Sequence, residues 1–118
     1  EYQSSKDEAG LTLVRNILDS CANETTIGSR DWTYYKFASG DASERLYRLN
    51  MGEYGEDSAA TQANLRNAMD SYKLVATQSD DNYGVIAGAR YEDLRKNLII
   101  EKHDWRYWGY NWKRNSEI

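Results

Sequence analysis

SAATQANLRNAMDSYKLVATQ, from Ser58 to Gln78, is the stretch whose reading decides the fold. Thr61, Leu65, Ala68, Met69, Tyr72 and Val75 recur along it in steps of three or four, with Ala68 and Met69 side by side. That spacing lines one face of a 3.6-residue helix. The alanines between them favour helix strongly, and Asp57 or Ser58 supplies a side-chain oxygen to cap it. The stretch therefore reads as a long helix over about 57–77, with its apolar face turned to a core.

Toward the N-terminus, Gly52 and Gly55 close a preceding helix whose face is Ala42, Leu46 and Leu49, flanked by Tyr47. Ser39-Gly40-Asp41 has turn chemistry, and Asp41 with Glu44 three residues on resembles a helix start. Trp32, Tyr34, Tyr35 and Phe37 then form a short aromatic element of their own, read as helix. Gly28 and Ser29 separate it from a first helix, about Ser5 to Asn23, periodic over 5–22. There Leu11, Val14, Leu18 and Cys21, with Ile17 alongside, make one stripe expected to be buried. Cys21 shares that stripe and is expected to be a small buried hydrophobe.

Toward the C-terminus, Ser79-Asp80-Asp81-Asn82 with Gly84 is a loop. It has Tyr83 where a calcium loop needs a ligand, and no glutamate six residues past the glycine. From Val85 the pattern supports a last helix over 86–104. Tyr91, Leu94, Leu98, Glu101, Trp105, Trp108 and Trp112 form a heptad-like seam. Leu98-Ile99-Ile100 could instead open a strand. Together these segments predict an all-α protein, a small helical bundle of four or five helices. One domain spans residues 1–118, with an aromatic-rich segment at 103–114.

Ten tyrosines and four tryptophans stand beside one phenylalanine and no proline in 118 residues. Tyr and Trp join a large apolar face to a polar edge, which suits half-buried positions and binding surfaces. Residues 1–88 hold 14 acidic against 8 basic side chains, a net of −6, and residues 89–118 hold 5 against 7, a net of +2. An acidic body argues against binding duplex DNA, which calls for a dense basic face, and allows a cationic protein partner. No apolar run approaches the roughly 20 residues of a transmembrane helix. The chain starts at Glu1 without a methionine, which fits a secreted or periplasmic product and fits a trimmed chain equally well.

Catalytic patterns are missing from the sequence. His103 is the only histidine, and its neighbour Asp104 would point about 100° away on a helix, so the two do not pair. The acidic pairs Glu56-Asp57 and Asp80-Asp81 fall where capping explains them. The lone cysteine supplies no disulfide framework or thiolate metal site. The reading is therefore a non-catalytic binding protein with no cofactor. Its candidate binding residues are Arg106, Tyr107, Tyr110 and Lys113, interleaved with a Trp105–Trp108–Trp112 stripe that would anchor the segment to the bundle.

Cys21, then Asp31-Trp32-Thr33-Tyr34-Tyr35, then Leu65-Arg66-Asn67-Ala68-Met69-Asp70-Ser71-Tyr72 resemble the pattern of the immunity proteins that neutralise type VI secretion amidase effectors. The resemblance covers residues 5–77 and implies a small helical bundle, often a homodimer, that plugs the active site of a peptidoglycan-cleaving toxin in the periplasm. Ala68 stands where that family has a cysteine, so the family disulfide cannot form here, and residues 78–118 have no counterpart. The leading reading is thus an inhibitor or immunity protein. The alternative is a small secreted toxin or effector that binds a membrane, a glycan or a nucleic acid through its C-terminal aromatics.

Overall fold

The computed structural model describes residues 2–98. Among them are four helices and no strand: α1 (Tyr2–Asn23), α2 (Arg30–Tyr54), α3 (Ala59–Gln78) and α4 (Asn82–Arg95). The chain runs up and down. Helix α2 packs against both α1 and α3, and α4 lies mainly on α3. The expected all-α bundle is what the described residues form.

Short polar caps set the boundaries. Ser29 accepts from the Trp32 amide to start α2, Ser58 from the Thr61 amide to start α3, and Asp81 from the Gly84 amide to start α4. Each satisfies one of the amides that a helix start leaves without an intrahelical partner. Gly55 ends α2 at φ 96°, a conformation that a side chain would strain.

Helix α3 is the spine. Thr61, Leu65, Ala68, Met69, Tyr72 and Val75 are all buried, as their spacing predicts. Those from Leu65 to Val75 meet Trp32 and Tyr47 from α2, and Ala87 and Leu94 from α4, in one apolar cluster. Small residues bring α4 close to α3: Ala87 is fully buried, and a side chain at Gly88 would lie 3.7 Å from the Ala76 methyl.

Three expectations need correction. Helix α2 is unbroken from Arg30 to Tyr54, so Ser39-Gly40-Asp41 is helix and not a turn. Each of those residues answers to a neighbouring helix. The Ser39 hydroxyl donates to Asp19 of α1 at 2.7 Å, and Asp41 pairs with Arg45 and with Arg90 of α4. Gly40 is small because the Tyr72 ring lies against it; a Cβ there would stand 2.8 Å from the ring.

The second correction concerns α1. Val14 is 46% exposed and Ile17 52%, while Leu11, Leu18 and Cys21 are only half-buried. The side of α1 that docks is more polar: Arg15 bonds Asn64 of α3, Asp19 receives Ser39 and Lys36 of α2, and Ala22 is the buried apolar contact. The stripe of α2 that α1 overlies carries these donors. Burying Val14 and Ile17 against them would strand polar groups. Third, α4 ends at Arg95 and not at residue 104. Asn97 and Leu98 close it with i→i−3 bonds to Leu94 and Arg95, and Gln62 of α3 donates to the Asn97 carbonyl. The strand alternative beyond Leu98 lies outside the described residues.

Two glycines in the same helix test the reading of α2. Gly40→Ala is expected to lower stability by about 1–3 kcal/mol through overpacking, although alanine is the better helix former. Gly52→Ala, with nothing within 4 Å of the added Cβ, is expected to raise it by about 0.5–1 kcal/mol. Thermal melts that moved both variants the same way would contradict this.

Candidate functional site

Helices α1 and α3 flank α2 without packing on each other, so a furrow is left between them. Its floor is a stripe of α2, Trp32, Lys36, Ser39 and Ser43, at steps of four, three and four. Arg15, Asn16 and Asp19 form one wall, and Asn67, Asp70, Ser71 and Leu74 the other, around a volume of about 290 Å³. Toward the end where α1 stops, the furrow opens into a second recess of about 480 Å³ lined by Ala22, Ile27, Trp32, Leu74 and Gln78. The furrow is therefore hydrophilic along its length and apolar at one end.

Side-chain bonds hold the polar part in shape. Asp19 takes a hydrogen bond from Ser39 at 2.7 Å and an ion pair from Lys36 at 3.3 Å. At the other end Arg15 donates to the Asn64 oxygen at 3.0 Å. Because a guanidinium only donates, Asn64 must turn its oxygen to Arg15 and its NH2 to Asn50, whose oxygen accepts at 2.7 Å. Among the described residues, the Asn50 NH2 is thereby left buried without a partner, and so is the Ser43 hydroxyl. Buried polar groups are nearly always paired, so the Ser43 hydroxyl, which lines the furrow, marks a place where the described residues do not complete the bonding.

Across α2 from the furrow, Tyr72 ties three helices together. Its hydroxyl donates to Glu44 of α2 at 2.7 Å and accepts from Arg90 of α4 at 3.1 Å. Arg90 also reaches Asp41 at 3.3 Å and lies over the Phe37 and Tyr72 rings at 5.0 and 5.7 Å, a cation–π arrangement. Burial pushes the Tyr72 phenol well above the ordinary tyrosine range, and the Glu44 hydrogen bond pushes it further.

The outer surface of α1 is the third feature. Its exposed residues from Ala9 to Asn23 are Ala9, Gly10, Leu13, Val14, Asn16, Ile17, Ser20 and Asn23, none of them charged. Leu13 is 60% exposed at the centre of this face. In a chain with 29% charged residues, a helix face four turns long without a charge is unusual. Loss of charge with retained apolar side chains is the composition of a protein-contact surface.

Arg106, Tyr107, Tyr110 and Lys113, and the tryptophan stripe beside them, lie outside the described residues. Sequence reasoning did not single out Arg15, Asp19, Lys36, Ser43 or Ser71 as site residues, and it read Ser39 as part of a turn. A signal was present in Ser39 and Ser43, indifferent helix formers set at the register of Trp32 and Lys36. No helix among the described residues is long and apolar enough to cross a membrane. No protein family, characterised protein or solved structure was found to match this chain.

The Tyr72 junction gives a pH dependence. A phenol held above its ordinary value of 10.0 keeps its proton when folded, while the unfolded chain releases it. Stability is therefore fully present below about pH 10 and falls as the pH rises beyond it. Tyr47, raised by burial, and Tyr54, raised by its Glu8 hydrogen bond, act in the same sense. Tyr72→Phe is expected to be less stable at neutral pH, with a shallower decline between about pH 10 and 12. Parallel melting curves for the two proteins across that range would contradict the assignment.

Proposed function

We propose that this protein is a non-catalytic binding protein of the inhibitor kind, an immunity protein that neutralises a cell-wall-hydrolysing amidase toxin in the periplasm. The observation that carries the proposal is the outward apolar face of α1. A helix that turns Leu13, Val14 and Ile17 to solvent while docking through Arg15 and Asp19 leaves apolar surface that a protein partner would cover. The resemblance over residues 5–77 supplies the toxin class, and the acidic body suits a cationic contact on it. Arg106, Tyr107, Tyr110 and Lys113 extend the contact, with a homodimer as a further partner of the same surface class.

The test is a peptidoglycan hydrolysis assay with a purified type VI amidase effector, titrated with this protein. Stoichiometric inhibition is expected. Ile17→Glu is expected to weaken it by at least about tenfold, as loss of an interface anchor does. Because Ile17 is half exposed, its melting temperature should match the parent's. Absence of both inhibition and binding, or full inhibition by Ile17→Glu, would contradict the proposal.

A further inference from the structure

The furrow between α1 and α3 has chemistry of its own, separate from the apolar face of α1. Ser43 is fully buried on its floor with an unpartnered hydroxyl, and Ser71, 8% exposed, stands on its wall. The two are near each other: a Cβ on Gly40, one turn before Ser43, would lie 3.3 Å from the Ser71 Cβ. Above them stand the two cations of the furrow, Arg15 and Lys36. Lys36 is spent on Asp19, which also takes the Ser39 hydroxyl. Arg15 uses one nitrogen on Asn64 and a long bond of 3.4 Å on exposed Asn16, so its guanidinium keeps donor capacity.

The floor therefore offers one donor in need of an acceptor, the Ser43 hydroxyl, with the Ser71 hydroxyl and the Arg15 guanidinium as further donors beside it. The one acid in the furrow not already engaged by a cation is Asp70, which is exposed at the mouth and screened by water.

We propose that this furrow is a carboxylate-binding site, in which Arg15 and the Ser43 and Ser71 hydroxyls together hold one carboxylate group. A carboxylate accepts several hydrogen bonds at once and fits the planar fork of an arginine. It would also complete the bonding of Ser43, whose hydroxyl is buried without a partner among the described residues. The carboxylate comes either from a free small acid or from an aspartate or glutamate side chain of a protein, and about 290 Å³ accommodates either. The site goes beyond the inhibitor reading, and the protein alone suffices to test it.

The experiment is a titration of the ¹⁵N-labelled protein with acetate and with N-acetylglutamate α-amide, using N-acetylglutamine α-amide and inorganic phosphate as comparisons, at constant ionic strength. Saturable shifts at Ser43, Ser71 and Arg15 are expected with the two carboxylates and not with the glutamine analogue. Equal affinity for both points to free acids, and tighter binding of the glutamate compound to a side chain. Arg15→Gln is expected to raise Kd about tenfold, and Ser43→Ala about fivefold. Ser43→Ala should melt no lower than the parent, since it removes an unpaired hydroxyl. Asp70→Asn is expected to tighten binding by removing a like charge. Phosphate binding more tightly than either carboxylate, no saturable shift, or an unchanged Kd in Ser43→Ala would overturn the proposal.

Discussion

The contact between the Tyr72 ring and Gly40 is the constraint on which the rest of the bundle depends. It brings α3 close enough to α2 for the phenol oxygen to pass beside the α2 backbone and reach Glu44. Arg90 then closes on the same oxygen from α4. One side chain thus fixes the spacing of α2 and α3 by its ring and the position of α4 by its hydroxyl. The apolar cluster around Leu65, Ala68 and Val75 supplies the non-directional attraction that holds the helices together. Hydrogen bonds at a buried phenol contribute less energy than that burial, and they exclude other registers because an unmade bond there is costly.

With α2 and α3 locked on that side, α1 must be held from the other. It is held by polar bonds: the Arg15–Asn64–Asn50 relay at one end and the Asp19 cluster at the other. This arrangement has two consequences. Leu13, Val14 and Ile17 of α1 are left facing out, and the furrow beside it stays open because α1 packs on α2 and reaches α3 through the Arg15–Asn64 side-chain bond without packing on it.

The sequence makes the helices legible and leaves their orientation less so. The α3 face from Thr61 to Val75 could be read directly, because every apolar residue on it points to one core. For α1 the same periodicity argument expected one buried stripe, and the helix buries it only in part: Leu11, Leu18 and Cys21 are half-buried while Val14 and Ile17 face out with Leu13. Periodicity shows that a face is apolar and says nothing about what covers it. Ser39-Gly40-Asp41 carries turn composition for reasons that belong to other helices, namely Asp19, the Tyr72 ring and Arg90. Local propensity cannot see such contacts. The furrow was hidden for the same reason: its serines are ordinary in sequence and come together only where α2 and α3 place them. The binding residues proposed at Arg106, Tyr107, Tyr110 and Lys113 rest on sequence alone.

The central claim, that the Tyr72 hydroxyl is a shared junction of separate helices, is tested most directly by a double-mutant cycle of Glu44→Ala with Tyr72→Phe, read by denaturant unfolding. A bond from a buried phenol to a carboxylate is expected to show a coupling energy of at least about 1 kcal/mol. Additive losses, with coupling below about 0.3 kcal/mol, would contradict the account.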